Sequence, residues 1–320
     1  MEVEGVTTVV KIASNHERLL DGFGHDCRLR GLSEKTITEY QAQIRMFLEL
    51  LDDLGKDIID VDQLVLREFL SYLKDERGLR HKTVKGYFTA LSTFYDYLVF
   101  EGQSKSNIVL PFRRRYLRRY KEGYDTQERQ LISVEEMGRL VNSAIDPRDK
   151  AIMVLLAKTG VRRGELVRID VGDINWEDYS ITLKPTRKRS NRVVFFDDEA
   201  ALAVRRWLGF REKLNPQTEA LFVNYNDNGR LKRSGVYNAV VKYAERLGYH
   251  DSNSPDLEDH FGPHCFRHWF TTFLLRNGMK REYVKELRGD RREESIDIYH
   301  HIDRELLRRA YLAYIPKLGI

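Results

Sequence analysis

Three stripes of apolar residues at helical spacing occupy the first third of this 320-residue chain. The second and third stripes cover residues 66–73 and 84–98, and glycines separate the three segments. The stripe nearest the N-terminus follows Ser33, a residue suited to an N-cap, and consists of Ile37, Tyr40, Ile44, Phe47, Leu48 and Leu51. Because apolar residues three and four apart share one face of a helix, residues 14–106 are predicted to form a helical bundle, preceded by a flexible arm over residues 1–13.

A run of positive charge follows the predicted bundle. Residues 107–130 include the segment PFRRRYLRRYK and have no clear apolar period, so they are predicted to form an interdomain linker. The charges of that segment are all positive, and they belong to Arg113, Arg114, Arg115, Arg118, Arg119 and Lys121. Because tyrosines are interleaved with them, contact with phosphate is favoured over the alternative of a solvated connector.

Residues 131–320 mix helical and strand signals and are predicted to form a second domain. Ser133 and Glu136 have capping-box spacing, and an apolar helix is predicted over residues 148–158. Runs of β-branched and aromatic residues at 181–183 and 193–196 predict strands on either side of a basic loop. The whole chain is therefore expected to be mostly α-helical with a small β-sheet, in the α+β class.

Composition restricts the class of protein. The 54 Lys and Arg residues exceed the 49 Asp and Glu residues by five, a weak indication of a polyanionic partner. The two cysteines, Cys27 and Cys265, exclude a disulfide framework and a four-thiolate metal site. No stretch approaches the roughly 18 apolar residues of a membrane helix, and the N-terminus does not resemble a secretory signal. We therefore expect a cytoplasmic protein with no membrane partner.

Four segments of the second domain carry residues that bind anions or move protons. Arg162 opens a helix after a glycine break, where a guanidinium and free backbone N–H groups form an anion site. The basic loop 184–192 offers lysines as proton donors. His264 and Arg267 share one helix face and combine a titratable group with a phosphate clamp. Tyr299 lies near the C-terminus, in the segment ESIDIYHHI.

A zinc site is an alternative interpretation of three histidines spaced four residues apart, namely His260, His264 and His268. Gly262 and Pro263 interrupt the helix between the first two, and no acidic ligand accompanies them. The sequence therefore predicts no metal site.

The order Arg, Lys, His-x-x-Arg and then Tyr about thirty residues later resembles the tyrosine recombinase (phage integrase) family. The resemblance is close at TGVRRGEL, PHCFRHWFTTFLL and ESIDIYHHI, and it covers most of residues 130–320. The segment GLSEKTITEYQAQIRMFL looks like the SAM-like core-binding domain of the family. The simple two-domain layout is most similar to archaeal integrases and Xer-type recombinases.

The resemblance implies a site-specific DNA recombinase that works through a 3′-phosphotyrosyl intermediate and needs no cofactor. Integration or excision of a mobile element is the biological role that we expect. Tyr299 matches the nucleophile of the family and His264 matches the histidine that assists as a base. Arg162 and Arg267 match the two arginines that stabilise the charge gathering on the phosphate.

Three further positions follow from the same resemblance. A lysine on a β-hairpin protonates the leaving 5′-oxygen in the family; Lys188 is the favoured match, and Lys184 is the alternative. Glu165 matches an acidic residue that supports the site. Asp290 stands where the family usually has histidine or tryptophan. Because an ionised carboxylate repels phosphate, Asp290 is expected to point away, to be protonated, or to orient a neighbouring Arg or His.

Double-stranded DNA is the expected partner. Lysines and hydroxyl groups at helix starts suit phosphate contacts, and beside the linker arginines they predict Lys35, Thr36, Lys82, Thr83, Lys85, Lys232, Arg233 and Ser234 as DNA-binding residues. The resemblance implies a tetramer on paired DNA sites, with a monomer or dimer without DNA. The tail after Tyr299 is expected either to dock on a neighbouring protomer or to cover its own domain.

Three alternative functions remain open at this point. The chain could resolve chromosome dimers as an Xer-like enzyme, or relax DNA in the manner of a type IB topoisomerase. It could also be a DNA-binding protein on a decayed recombinase frame, an alternative supported by Asp290 alone.

Overall fold

The computed structural model describes residues 2–118, 130–185, 192–254, 256–290 and 302–320. The chain divides into an N-terminal unit, residues 1–124, and a C-terminal unit, residues 125–320. Helices dominate both units, and one three-stranded sheet lies in the second, which confirms the predicted class. Within the described ranges, no helix has the length and apolar character needed to cross a membrane.

The N-terminal unit is a helical bundle around an aromatic core, as the apolar stripes predicted. Ser33 caps α2 by accepting a hydrogen bond from the Thr36 backbone N–H, and Asp62 caps α3 in the same way. Phe47 and Phe69 stack edge to face in the core at a centroid distance of 4.9 Å. The helices are α1 (Glu2–Leu29), α2 (Glu34–Asp53), α3 (Gln63–Ser71), α4 (His81–Phe100) and α5 (Val109–Tyr116), with a 3₁₀ turn (Ile58–Asp60) and a π turn (Tyr72–Glu76).

Two predictions at the ends of this unit differ from the structure. Residues 2–13, predicted as an arm, belong to α1. The first part of the predicted linker forms α5, whose residues Val109 and Phe112 are buried in the core of the unit. Arg113 donates a hydrogen bond to the Thr89 hydroxyl at 2.9 Å, so this basic residue is held against the bundle. Apolar residues three apart, interrupted by arginines, gave too short a pattern to recognise as a helix.

The C-terminal unit combines helices with a small antiparallel sheet of three strands, which pair in chain order with Ile181 opposite Val194. Its strands are β1 (Ile174–Asn175), β2 (Ser180–Leu183) and β3 (Arg192–Phe195). Short 3₁₀ turns occur at Val171–Asp173 and Leu257–Asp259. The helices are α6 (Val134–Asn142), α7 (Pro147–Thr159), α8 (Arg163–Leu166), α9 (Asp198–Lys213), α10 (Arg233–Arg246), α11 (Pro263–Arg276), α12 (Arg281–Arg288) and α13 (Arg304–Tyr314).

Helix α7 is the centre of the C-terminal unit, because residues 151–159 are all buried and pack chiefly against α9 and α11. Lys158 is completely buried on this helix. Its ammonium group donates to Asp197 at 2.7 Å, to Glu199, and to the Pro316 carbonyl at 2.6 Å. A buried charge is tolerated only when it is paired and hydrogen-bonded, and these three acceptors meet that requirement.

The C-terminal tail packs on its own unit, which is one of the two alternatives expected for it. Glu199 accepts hydrogen bonds from the backbone N–H groups of Leu318, Gly319 and Ile320. Tyr311 of α13 is fully buried, and its hydroxyl donates to the Lys158 carbonyl at 2.9 Å. The buried ionic cluster around α7 therefore also holds the end of the chain.

Replacing Lys158 by methionine is expected to lower the free energy of unfolding of the C-terminal unit by about 3–5 kcal/mol. Methionine preserves volume but removes the buried cation from Glu199 and leaves Asp197 only the exposed Lys317, 3.3 Å away. Urea unfolding can be followed by tryptophan fluorescence, because the three tryptophans all lie in this unit: Trp176, Trp207 and Trp269.

Arg309→Met is the matched control, since its 3.0 Å ion pair with Glu305 is exposed on α13. The expected loss for the control is below about 1 kcal/mol. Equal losses in the two variants would contradict a central role for the buried cluster.

Candidate active site

A sharp turn at the end of α7 positions the first predicted site arginine. Gly160 ends the helix in the left-handed conformation with φ of 59°, and a Cβ there would lie 2.3 Å from the Phe270 ring. Glycine is required because residues with a Cβ rarely adopt this backbone conformation, and because Phe270 already fills the space that a Cβ would occupy. Val161 is buried after this turn, and Arg162 is the N-cap residue of α8. Glu165 fixes this start by accepting the Arg162 backbone N–H at 2.7 Å.

Arg267 reaches the same place from α11, although its side chain is almost fully buried. Its two terminal nitrogens donate to carbonyl oxygens, Nη1 to Gly160 at 2.8 Å and Nη2 to Arg288 at 2.9 Å. These carbonyls lie at the C-terminal ends of α7 and α12, where the helix dipole favours positive charge. Burial, followed by the positive charges of Arg162 and Arg288, lowers the pKa of Arg267 to about 9. A guanidinium in these surroundings is stabilised by a nearby anion.

The two predicted arginines converge on one spot. The Arg288 carbonyl accepts from Arg267 Nη2 at 2.9 Å and from Arg162 Nη1 at 3.5 Å. The Asp290 oxygen Oδ1 lies 3.3 Å from Arg267 Nη2 and 4.0 Å from Arg162 Nη2. Arg162 is about one-third exposed, so one face of the pair is open to a ligand. The arrangement offers paired guanidinium donors of the kind that bind an oxyanion.

Arg192 completes the support of the pair, and sequence reasoning did not single it out. It binds the Glu165 carboxylate with two parallel hydrogen bonds, Nη1 to Oε1 at 2.8 Å and Nη2 to Oε2 at 2.9 Å. Its Nε donates to the Leu287 carbonyl at 3.2 Å. Burial raises the pKa of Glu165, but the hydrogen bonds and charge of Arg192, with help from Arg162, lower it to about 2. Glu165 is therefore an ionised support between two arginines.

The pairing of the β-hairpin is the signal that could have identified Arg192. Leu183 and Arg192 are partners at the loop end of the β2–β3 ladder, so Arg192 belongs to a strand rather than to the loop. In the sequence it follows several other basic residues of the same chemical type. Only the register of the hairpin separates the buried arginine from those neighbours.

Asp290 contacts the arginines rather than pointing away from them. Besides its contacts with Arg162 and Arg267, its Oδ2 lies 3.2 Å from Arg288 Nε. Of the three alternatives given for this position, the geometry matches a carboxylate that contacts neighbouring arginines.

The remaining candidates are the hairpin lysines, His264 and Tyr299, and the structure describes only some of them. Lys184 is engaged by Asp170 and lies 3.5 Å from Asp173, so it ties the hairpin to a neighbouring turn. His264 is exposed on the first turn of α11, one helical turn before Arg267. Lys188 and Tyr299 lie outside the described residues, and so do Arg119 and Lys121 of the basic run.

The proposed DNA contacts are mostly exposed, either at the starts of α2, α4 and α10 or in and after the last turn of α5. Lys35 forms an exposed pair with Glu39 on α2 at 3.5 Å. Arg233 packs beside the site, since a Cβ on Gly164 would lie 3.0 Å from its guanidinium. Thr36 is half-buried, whereas the exposed candidates include Lys82, Thr83, Lys85, Arg114, Arg115, Arg118, Lys232 and Ser234.

Two family models match the chain. The model of the phage integrase family matches residues 125–305, and the model "Phage integrase, N-terminal SAM-like domain" matches residues 19–103. The two matches fall within the C-terminal and N-terminal units, respectively.

Curated relatives match over nearly the whole chain. Tyrosine recombinase XerC of Haemophilus ducreyi is 31% identical over 293 residues, which cover 89% of this chain and 90% of the relative. XerC of Histophilus somni is 30% identical over 289 residues, which cover 88% and 91%.

Solved structures share the fold at lower identity. XerH bound to a palindromic difH substrate is similar with a TM-score of 0.66 and 20% identity, over 96% of this chain and 87% of that one. A lambda integrase dimer bound to a COC′ core site gives a TM-score of 0.66 and 16% identity, over 90% and 97%.

Replacing Glu165 by glutamine is expected to lower the free energy of unfolding by about 3 kcal/mol at pH 7. The pKa of Glu165 lies below its ordinary value of 4.5, so its contribution is present above pH 4.5. The contribution is lost as pH falls from 4.5 towards 2. The difference between wild type and variant, measured by urea unfolding from pH 7 to pH 3, should therefore shrink below pH 4.5.

Glu305→Gln provides the control, because this carboxylate is half exposed on α13. A difference for Glu165→Gln that stays constant with pH would show that its ionised form is not what stabilises the site.

Proposed function

This chain belongs to the phage integrase family of tyrosine recombinases, and we propose that Tyr299 attacks a DNA phosphodiester held by Arg162 and Arg267. Tyrosine recombinases are enzymes that break and rejoin DNA strands at specific sites. The observation that carries the residue assignment is the convergence of two arginines, from α11 and from the start of α8, on one spot.

The proposed step conserves the phosphodiester bond energy. The Tyr299 oxygen forms a bond to phosphorus while the bond from phosphorus to the 5′-oxygen breaks, leaving a 3′-phosphotyrosyl link. His264 assists removal of the phenol proton, whose ordinary pKa is about 10. The leaving oxygen receives a proton from Lys188. Because one phosphoester replaces another, the exchange runs without a nucleotide cofactor.

Two arginines suit the charge that develops on the phosphate. The pentacoordinate transition state gathers charge on its non-bridging oxygens, and guanidiniums remain charged and present fixed pairs of donors. Arg267 is held by the Gly160 and Arg288 carbonyls, so its orientation is set before DNA binds. Glu165 binds the Arg162 backbone N–H and so fixes the backbone there, and Arg192 holds Glu165 in place. This preorganisation suits a site that stabilises charge as it develops on a phosphate.

A nicked suicide substrate tests the assignment, because loss of a short fragment traps the covalent protein–DNA adduct. Wild type is expected to form the adduct and Tyr299→Phe to form none, since phenylalanine has no nucleophilic oxygen. Arg162→Lys and Arg267→Lys should slow adduct formation by about 10²–10³-fold, because lysine lacks the paired donors. Arg163→Lys is the matched control, since Arg163 is exposed beside Arg162.

The same assay exposes wrong assignments. Adducts that persist in Tyr299→Phe would show that another residue is the nucleophile. Strand exchange between two marked duplexes by wild type would support recombination, whereas relaxation without exchange would support the topoisomerase-like alternative.

The assignment of the proton donor makes a separate prediction. Lys184 forms an ion pair with Asp170. Because that contact holds its ammonium group, Lys188 is favoured as the proton donor. Lys188→Ala is expected to slow cleavage of an ordinary substrate by about 10²-fold or more. A substrate with sulfur in place of the bridging 5′-oxygen should restore its rate, because a thiolate leaves without a proton.

Lys184→Ala is the matched control for that measurement and should show no sulfur-specific rescue. Rescue of Lys184→Ala rather than Lys188→Ala would reverse the assignment of the two lysines.

Double-stranded DNA is the partner that the DNA-bound structural neighbours support. We propose that a tetramer assembles on two paired sites and that a monomer or dimer exists without DNA. Integration or excision of a mobile element is the proposed role. The similarity to XerC over 89% of the chain favours a second candidate, Xer-like resolution of chromosome dimers.

A further inference from the structure

Asp290 places a negative charge where the proposed function requires a phosphate. One carboxylate oxygen lies 3.3 Å from Arg267 Nη2 and 4.0 Å from Arg162 Nη2. The other lies 3.2 Å from Arg288 Nε. The carboxylate is about one-quarter exposed, so it lies at the mouth of the arginine pair rather than beneath it.

The end of α12 fixes this position. Gly289 adopts φ of 60° and ends the helix, and the Asp290 backbone N–H donates to the Lys285 carbonyl at 3.1 Å. A Cβ on Gly289 would lie 2.7 Å from Arg192 Cδ, so the buried arginine packs directly against this turn. The carboxylate is therefore directed to the arginines by backbone geometry and not by a side-chain rotamer alone.

The carboxylates of the site have different tasks. Glu165 uses both oxygens on Arg192, in a pair that is almost fully buried. Within the described part of the chain, Asp290 is the carboxylate that lies within 4.0 Å of Arg267. Arg267 does not need Asp290 for its orientation, because the Gly160 and Arg288 carbonyls already hold it.

We propose that Asp290 is an internal anion that occupies the arginine pair in the absence of DNA and is displaced by the scissile phosphate. The inference rests on the proposed function, because it names the same pair as the phosphate site. Two anions cannot share these donors without strong repulsion at such short distances. The arginine pair then binds a lone phosphate poorly, whereas a long duplex supplies additional contacts whose binding energy displaces Asp290.

Inorganic phosphate is the probe that tests this inference without DNA or cleavage. Phosphate binding to the full chain can be followed by ³¹P NMR titration at constant ionic strength. Asp290→Asn and Asp290→Ala are both expected to bind phosphate about tenfold more tightly than wild type, since each removes the competing charge. The alanine variant is included because asparagine adds a hydrogen-bond donor that could itself bind phosphate, whereas alanine adds none.

Asp178→Asn is the matched control. Asp178 is also a partly exposed carboxylate of the C-terminal unit, paired with Arg304 at 2.6 Å, and its loss should leave the phosphate affinity unchanged. Adding Arg267→Lys to Asp290→Asn should abolish the gain, which places the bound phosphate at the arginine pair. Unchanged or weaker phosphate binding in both Asp290 variants would overturn the inference.

Cleavage of the nicked substrate separates this inference from the proposed function. Asp290→Ala is expected to form the covalent adduct several-fold faster than wild type at low DNA concentration, because no internal anion has to leave. Tighter phosphate binding with no adduct from any variant would refute the proposed function and keep the internal anion. Adduct formation by wild type with slower cleavage and no gain in phosphate affinity in both Asp290 variants would instead show that Asp290 positions the arginines.

Discussion

The accommodation of several guanidinium groups in a partly buried pocket is the constraint on which the rest of the C-terminal unit depends. Arg162, Arg192 and Arg267 come from three separate elements, and each donates to a carbonyl oxygen at the end of α7 or α12. Helix C-termini carry partial negative charge and unpaired carbonyls, so they stabilise cations without neutralising them. The carbonyls thus hold the guanidiniums in place and leave their positive charge to pair with an anion such as the Asp290 carboxylate.

Two glycines allow these helix ends to come close to the arginines. Gly160 and Gly289 both adopt the left-handed conformation that ends a helix, and both have a side chain packed against the missing Cβ. Phe270 fills the space beside the first and Arg192 the space beside the second. The turn that exposes the carbonyls and the packing that orients the arginines are therefore parts of one arrangement.

The buried cluster around Lys158 also stabilises the helix that leads to the arginines. It holds the tail after α13 to the central helix α7, whose C-terminal end carries the Gly160 carbonyl. The segment that carries Tyr299 is joined at one end to α12, next to the arginines, and at the other to α13, which is packed on α7. Both anchors lie in the same unit, so the stability of the core and the geometry of the site are linked.

The sequence by itself determined the helical bundle and the α+β class, because apolar periodicity is a local property, and it singled out Arg162 and Arg267 as candidates for the site. Tertiary structure decided what no local pattern contains. Arg192 differs from its basic neighbours only through the strand register that buries it against Glu165. The packing of α5 and the contact of Asp290 with two arginines likewise depend on residues far apart in the chain. Burial and charge pairing are properties of the folded arrangement, and a one-dimensional pattern does not specify them.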